Sequence, residues 1–552
     1  PPIFLPTFFC LPPFRFPLSA FRFSPFPDNL ARVTSSFSPL PLGLQSRNPL
    51  RWLSVFGPGA IIASLTIGVG ELVFSSRGGA IFGYRLLWFF GVVLAMKWVL
   101  VFASARQMIL TGAHPFQRWM DLPGPRGWLP MVFFLLAIPC FPIWVSFHAG
   151  TLGTLLGGLT GTEKILNGCG HYAWGLAMLL IVLVLCATGG YAGLEKIQIA
   201  IVVIMLGCVV VAVFFVHPNW LEFLRGLLVP QPLHYPSWID AATYPEIASR
   251  PVWVETSTYV GIIGGSGYDY LAYVSYLRDK QWGRAGAGVT TRAEWETQAR
   301  DAGILEEGRR WLRVPLIDCL LSFAAVLIFT AVFVICGSEV LGPQHKVPDG
   351  SNLLQLQAEF VTSVHPWLRY VYFAGAFLAV FGTLYGTVEV APTILREMAH
   401  AIDPQRAVAW QARLRGWSVG WAGVGALFLL IWFLLIQLSG AGKPPGLITL
   451  LTPANLFTGV LGCGIICLAN IWMDRRFLPR PIRMPFVLTL LSLLSGLIFL
   501  GLGFKAYWEL KTSFAGNRFV AVLILAGTLC LGLLGAWILK RIRISASLPK
   551  PS

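Results

Sequence analysis

Apolar runs long enough to cross a lipid bilayer recur along this chain from about residue 52 to about residue 540. A transmembrane helix needs about 20 predominantly apolar residues, because the hydrocarbon core of a bilayer is about 30 Å thick. Only 12% of the 552 residues are charged, which is about half the proportion found in a soluble domain. The sequence therefore predicts an all-α, polytopic membrane protein that is embedded in the lipid bilayer.

The apolar runs predict about 12 transmembrane spans. We place these spans at roughly residues 52–76, 84–110, 128–158, 171–188, 194–216, 253–277, 313–337, 366–394, 415–438, 446–472, 483–504 and 517–540. A charged segment, 278–312, follows the sixth span and is expected to form a solvated amphipathic helix. Residues 1–50 are rich in Pro and Phe, show no periodicity and are expected to be disordered.

The distribution of basic residues indicates a membrane protein rather than a nucleic-acid-binding one. The chain has a formal net charge of +16. Its Lys and Arg residues lie in short loops between apolar spans, and their density alternates from loop to loop, which is the positive-inside pattern. We therefore expect no nucleic-acid partner, an even number of spans, location in the cell (inner) membrane and both termini in the cytoplasm.

The sixth predicted span is interrupted at its centre. It reads Gly264-Gly265-Ser266-Gly267, and a carboxylate follows at Asp269. Glycine frees the backbone from helical geometry, and non-helical backbone at membrane depth is stable only where protein or a water-filled cavity surrounds it. The pattern therefore predicts a broken helix that lines a site.

A second interruption lies in the first span, where Gly57-Pro58-Gly59-Ala60 precedes Gly68-Val69-Gly70 and Glu71. Proline removes a backbone donor and clashes with the preceding helical turn, so we expect this helix to break near Gly57. Interrupted helices at matching positions in two halves of a chain are typical of inverted-repeat transporters with a site near the bilayer midplane. The alternative is that these residues merely kink two ordinary spans.

The two interruptions divide the chain into two related halves. In this organisation residues 51–216 form a first repeat of spans one to five, and residues 253–472 form a second repeat of spans six to ten. An external loop, 217–252, joins the repeats, and residues 473–552 contain spans eleven and twelve with a cytoplasmic tail.

Several segments resemble the Nramp family of divalent metal transporters. In the first two spans these segments are Gly57-Pro58-Gly59-Ala60, the run from Gly79 to Trp88, and Ser104-Ala105-Arg106 with Thr111-Gly112. In the sixth span, the run from Gly264 to Leu271 resembles Nramp-related relatives. The resemblance covers roughly residues 50–470. It implies the leucine-transporter-type fold of the amino acid–polyamine–organocation superfamily, with two inverted five-helix repeats, broken spans one and six, and extra helices.

The sequence departs from the family pattern at the residues that bind metal. The resemblance places the family's Asp-Pro-Gly-Asn motif, whose Asp and Asn are ligands, at Gly57 to Ala60, and its Met-Pro-His motif at Gly265, Ser266 and Gly267. The side-chain ligands of both motifs are thus missing, including the soft sulfur that helps to select transition metals. Family resemblance alone therefore does not imply proton-coupled import of manganese or iron.

Charged residues within apolar spans are the candidates for function, because a charge in a bilayer costs a few kcal/mol or more unless it is paired or hydrated. Glu71 and Asp269 are the predicted metal ligands. The predicted substrate-binding residues are Gly57, Ala60, Glu71, Gly264, Gly265, Tyr268 and Asp269. The residues predicted to form coupling or structural pairs are Lys97, His148, Glu389 and Asn455. For Lys97 the alternatives are pairing with a carboxylate and taking the place of a bound cation.

These features together predict a secondary transporter that moves a divalent cation of the Mg²⁺ or Mn²⁺ class by alternating access. Small residues at the break leave room for a hydrated ion, and Mg²⁺ usually retains several waters when bound. The same space would suit a small organic solute such as an amino acid, whose carboxylate would meet half-helix N-termini. A transport-inactive scaffold is the third alternative.

Enzyme motifs are missing from the sequence. It contains no HExxH, GxSxG or Walker motif, and its ten cysteines include no CxxC pair. We therefore expect that the chain is not an enzyme and that it has neither a cofactor nor a zinc site.

Overall fold

A computed structural model describes residues 37–509 and 526–538, apart from gaps at 46–47, 69, 163, 287, 349–365 and 441–446. Between residues 189 and 215 it describes only scattered positions. Within this part of the chain, eight helices are long and apolar enough to cross a membrane. Spans one and six are each divided into shorter helices, most of the predicted fifth span lies outside the described residues, and the twelfth is described as Ala526–Ile538. These pieces fit the predicted set of about 12 spans.

The unbroken helices follow the predicted order along the chain. Spans two, three, four, seven, eight, nine and eleven are Leu87–Thr111, Trp128–Thr160, Gly170–Thr188, Arg313–Cys336, Leu368–Ile402, Gln411–Ser439 and Phe486–Glu509, respectively. Span ten consists of Leu447–Asn455, a π-helical segment Leu456–Leu461, and Gly462–Phe477. A π-helical segment of this kind is often found near a functional site.

The second half of span six lies at the centre of the helix assembly. In Gly267–Asp279, the side chains of Tyr268, Tyr270 and Tyr273 are all completely buried although they point in different directions around the helix. A helix that is buried on every side must be surrounded by other helices. By contrast, span nine exposes large apolar side chains such as Phe428, as expected for a helix that faces lipid.

Span one begins where the sequence predicted its break. Pro58–Thr66 is a regular helix with Gly57 as its N-cap residue. Proline is well tolerated in the first turn, because the amide groups there need no intrahelical acceptor. The helix ends at Thr66 and resumes as the π-helical segment Gly70–Ser75 and the helix Ser76–Phe82. The chain is thus interrupted at Gly57 as predicted, between the 3₁₀ turn Leu53–Val55 and Pro58, but the interruption inside the span lies about 15 Å further along the helix axis.

A buried carboxylate from span seven holds the start of span one. Asp318 accepts hydrogen bonds from the backbone N–H of Gly57 at 3.0 Å and from that of Gly59 at 2.8 Å. The Tyr273 hydroxyl, in the second half of span six, donates to the same carboxylate at 3.0 Å. Asp318 is completely buried. This joint ties the first half of span one and the second half of span six to span seven.

A buried ion pair joins the other two half-helices. Arg77 Nε, in the second half of span one, lies 2.6 Å from Glu255 Oε1 in Val252–Ile262, the first half of span six. The Tyr259 hydroxyl donates to Glu255 Oε1 at 2.9 Å. The first half of span one is therefore linked through Asp318 to the second half of span six. The second half of span one is bonded directly to the first half of span six.

The charged segment 278–312 is not one solvated helix, so that expectation is wrong. It contains two short helices, Arg292–Gln298 and Ala302–Trp311. Trp295 is completely buried, and its indole N–H donates to the Leu110 carbonyl at 2.7 Å. The Arg284 guanidinium lies over this indole, 4.1 Å from the ring centroid. Large aromatic side chains thus anchor the segment to the end of span two.

The expectation that residues 1–50 are disordered falls largely on residues 1–36, which lie outside the described residues. The described residues between Phe37 and residue 50 are ordered, in contrast to that expectation. Phe37 packs on Arg284, 4.5 Å from its guanidinium carbon, and the Ser38 carbonyl accepts the Trp311 indole N–H at 2.9 Å. Two short helices, Leu42–Gln45 and Pro49–Trp52, follow.

Replacing Asp318 by Ala should destabilise the protein by about 3 kcal/mol or more, because two backbone N–H groups and one hydroxyl lose a buried acceptor. Asp301→Ala is the matched control. It removes the exposed cap of Ala302–Trp311, where Asp301 Oδ1 lies 2.7 Å from the Gly303 nitrogen, and should cost only about 1 kcal/mol. Thermal unfolding in detergent measures both changes, and equal losses would contradict the assigned role of Asp318.

Candidate functional site

Span six is interrupted where the sequence predicted, and its break touches that of span one. Gly264 and Gly265 have φ angles of +80° and +92°, which residues with a Cβ rarely adopt. A Cβ on Gly265 would lie 2.6 Å from Thr66 Cγ2. Since Thr66 is the last residue of the first helix of span one, the two breaks meet at this point.

Side chains satisfy the backbone carbonyls that the break in span six leaves without helical partners. Lys97, from span two, donates through Nζ to the Ile263 carbonyl at 2.7 Å and to the Gly265 carbonyl at 2.6 Å. The Tyr270 hydroxyl donates to the Gly264 carbonyl at 2.5 Å. Lys97 is completely buried. The ammonium therefore occupies the position in which two unwound carbonyls converge.

Glu71 reaches from span one into the break of span six. Its Oε1 accepts the backbone N–H of Gly264 at 2.9 Å, and its side chain is completely buried. Its Oε2 has no hydrogen-bond partner among the described residues. A buried polar oxygen without a partner is uncommon in folded proteins. This oxygen is therefore available to a water molecule or a bound ion.

Asp269 closes the N-terminus of the second half of span six. Its Oδ2 accepts the backbone N–H of Ser266 at 2.7 Å, and the two residues form a reciprocal capping box. Unlike Glu71, Asp269 is only partly buried. The carboxylate thus satisfies a helix terminus and still faces accessible space.

Four partly exposed residues lie where the two breaks meet, namely Gly70, Ile262, Gly265 and Asp269. We refer to the accessible surface that they share as the gap. The gap lies deep within the helix assembly, because Glu71, Lys97 and Tyr270 beside it are completely buried.

The hydrogen-bonding groups at this gap are oxygen atoms and one ammonium group, and the Cys463 thiol lies close enough to interact with Lys97 and Asp269. No group of three or more His, Cys, Asp or Glu side chains within the described part of the chain is placed to hold a metal ion. Glu71, Asp269 and the carbonyl oxygens of the break could together supply a few oxygen ligands. An ion bound here would therefore keep part of its hydration shell, as Mg²⁺ commonly does.

Three of the predicted substrate-binding residues lie away from the gap. Gly57 and Ala60 belong to the start of span one, beside Asp318. Tyr268 is completely buried, its hydroxyl donates to the Phe133 carbonyl, and its ring packs on Trp144 in span three. The structure therefore brings together Glu71, Gly264, Gly265 and Asp269 from the predicted set, and adds Lys97.

The other residues predicted to pair are distributed over several helix contacts. Glu389 forms a two-point ion pair with Arg415 of span nine, at 2.7 and 2.9 Å. Asn455 accepts the indole N–H of Trp144 at 2.7 Å and so fixes span ten to span three. The His148 ring packs edge-on against Phe147. Glu389 and Asn455 thus have structural partners.

Two residues that complete this arrangement were missed by the sequence analysis. Asp318 is a carboxylate within the apolar run of span seven, so the rule applied to Glu71 and Asp269 would also have selected it. Tyr270 lies three residues after Gly267, on the helix face that turns back toward the break. Its contact with the Gly264 carbonyl depends on the positive φ angles of the break, which the sequence pattern does not specify.

Known proteins resemble this chain over most of its length. A model of the family described as natural resistance-associated macrophage protein-like, or Nramp, matches residues 59–509. The metal transporter Nramp3 of Oryza sativa subsp. japonica is 26% identical over 184 residues, which are 33% of this chain and 32% of that protein. Metal transporter Nramp1 of Populus trichocarpa is 26% identical over 189 residues, with the same shares. The matched part spans about a third of the length of these relatives.

Solved structures show the same fold at low sequence identity. The Eremococcus coleocola manganese transporter, in complex with an aromatic bis-isothiourea substituted compound, has a TM-score of 0.63 and 14% identity, covering 90% of this chain and 96% of that one. MhsT in complex with L-phenylalanine has a TM-score of 0.51 and 14% identity, covering 83% and 98%. The predicted fold class, an all-α membrane protein of the leucine-transporter type, is confirmed.

Gly265→Ala should destabilise the protein more than Gly288→Ala, although the two glycines have nearly the same φ of +92° and +93°. A Cβ on Gly288 meets nothing within 4 Å, so that variant should show only the backbone strain of about 1–2 kcal/mol. Gly265→Ala adds a clash with Thr66, which should cost about 1–3 kcal/mol more. Thermal unfolding of both variants measures the difference. Equal destabilisation would mean that the two breaks are not in close contact.

Proposed function

Because the chain belongs to the Nramp family, whose model matches residues 59–509, we propose that it moves a divalent cation across the membrane through the gap between spans one and six. Membership in a family of transporters agrees with the expectation that the chain is not an enzyme. The fold and the apolar helices make it an integral, multi-pass membrane protein.

The observation that carries this proposal is Glu71 Oε2, which has no hydrogen-bond partner in the part of the chain that the structure describes. It is buried beside the gap, and Asp269 lies at the start of the second half of span six. Two carboxylates with free lone pairs next to unwound carbonyls form a site for a cation. All of these donors are oxygens, which suit Mg²⁺ and Mn²⁺ better than softer metals.

The position of the break changes the comparison with the family's metal ligands. The first helix of span one ends at Thr66, and helical structure begins again at Gly70. We therefore align the family's Asp-Pro-Gly-Asn motif with Gly68-Val69-Gly70-Glu71, in place of the earlier alignment with Gly57 to Ala60. On this reading one ligand position of span one holds a carboxylate, Glu71, rather than an alanine. This supports a retained cation site, but one with a different set of ligands.

The backbone donors of the two breaks argue against an amino acid as the substrate. The carboxylate of a bound amino acid would need N–H groups at half-helix ends. Here Glu71 accepts the Gly264 N–H and Asp269 accepts the Ser266 N–H. The chain's own carboxylates thus fill the positions that an anionic group would use. Transport of an organic solute and an inactive scaffold are therefore the two alternatives that the flux experiment below distinguishes from cation transport.

Alternating access is supported by the way the half-helices are bonded in pairs. Arg77 and Glu255 join one pair on one side of the gap, and Asp318 joins the other pair through Gly57 and Tyr273. We propose that these pairs part in turn to open the gap to each side. In this proposal the protein lies in the cell (inner) membrane. Its side rich in Arg residues, which includes the segment 278–312, faces the cytoplasm.

Glu71→Gln and Asp269→Asn should each reduce Mg²⁺ and Mn²⁺ flux into proteoliposomes about tenfold or more, because each removes one charged ligand while keeping an acceptor for the backbone N–H. Asp121→Asn is the control, since Asp121 pairs with Arg126 on the exposed surface, 3.7 Å away. It should transport like the wild type.

Two outcomes would overturn the proposal of cation transport. Wild-type flux of L-phenylalanine that does not respond to either metal would identify an organic solute as the substrate. Neither metal nor solute flux in correctly folded protein would identify a scaffold. Full metal flux in both carboxylate variants would place the ion path elsewhere in the molecule.

A further inference from the structure

Lys97 holds the carbonyl oxygens that would otherwise be available to a cation. Its Nζ lies 2.7 Å from the Ile263 oxygen and 2.6 Å from the Gly265 oxygen. Unwound carbonyls of this kind coordinate the transported or coupling cation in transporters built from broken helices. In this chain, a positive charge that cannot leave the protein occupies that position.

Polar and charged groups around the Lys97 ammonium offset part of the cost of burying its charge. Burying an ammonium at membrane depth costs several kcal/mol unless polar groups surround it. Besides the two carbonyls, the carboxylates of Glu71 and Asp269 interact electrostatically with this ammonium. The groups that would bind a metal ion are thus the groups that stabilise Lys97.

We propose that Lys97 is a tethered competitor of the transported cation and determines its charge selectivity. This inference rests on the proposed transport of a divalent cation. In the empty site the ammonium holds the Ile263 and Gly265 carbonyls, and an entering ion must displace it from them. A monovalent ion would replace one positive charge with another and gain little, whereas a divalent ion adds a charge next to Glu71 and Asp269. The competition also weakens binding, which allows the ion to leave.

A purely structural role for Lys97 predicts the opposite effect on binding. If Lys97 only satisfied two carbonyls, its removal would loosen the break and weaken the binding of any ion. If it competes with the ion, its removal should strengthen binding. The sign of the change in affinity therefore separates the two roles.

The test measures Mg²⁺ and Mn²⁺ binding to the purified full chain by isothermal titration calorimetry, for the wild type, Lys97→Met and Lys97→Gln. Both variants remove the charge, and Gln keeps a donor for one carbonyl, so it preserves the break better if Met does not fold. We expect both metals to bind about tenfold or more tightly in the variants. Lys505→Met is the control, because the Lys505 amine lies over the Trp253 ring, 4.4 Å from its centroid; its binding should be unchanged.

Competition by Na⁺ is the second readout, and loss of packing alone would not produce it. A large excess of NaCl should leave Mg²⁺ binding to the wild type unchanged and should weaken Mg²⁺ binding to the Lys97 variants. Unchanged or weaker metal binding in a folded Lys97 variant would overturn the inference, even if the wild type transports metal. If the wild type neither binds nor transports a metal, the proposed function itself fails, and the inference with it.

Discussion

The structure depends on how the backbone of two broken helices is satisfied inside a membrane. Lipid offers no hydrogen-bond partners, so every freed N–H and C=O group needs a partner within the protein or in a water-filled cavity. In span six those partners are side chains: Glu71 for the Gly264 N–H, Asp269 for the Ser266 N–H, and Lys97 and Tyr270 for the carbonyls. Charged residues are thus placed at the gap by the same requirement that permits the break.

The side chains at the break determine whether the gap favours a cation or an anionic group. The positions that would attract an anionic group are filled by the chain's own carboxylates, and Glu71 Oε2 finds no partner within the described residues. The position that would attract a cation is filled by Lys97. A divalent ion can add charge to such a site, whereas an anionic solute would have to displace the Glu71 and Asp269 carboxylates from the backbone N–H groups that they accept. Family membership and local electrostatics therefore support the same class of substrate.

Much of this fold could be predicted from sequence, because membrane spans and glycine-rich breaks follow from strong local constraints. Span lengths, the break at Gly264 to Gly267 and the placement of Glu71 and Asp269 beside that break were all accessible in this way. The interruption inside span one was misplaced because Pro58 was taken to mark it, whereas a proline in the first helical turn starts a helix. The roles of Asp318 and Lys97 depend on contacts between residues far apart in sequence, such as Asp318 with Gly57. Such contacts are set by how helices pack, and no local pattern specifies them.

Anomalous diffraction from crystals of the protein grown with Mn²⁺ tests the central claim most directly. The claim predicts one strong manganese peak at the gap, within reach of Glu71 Oε2 and the Asp269 carboxylate, with the Lys97 ammonium moved away from the Ile263 and Gly265 carbonyls. A gap that holds no manganese while Lys97 keeps both carbonyls, with any manganese peak elsewhere, would contradict it.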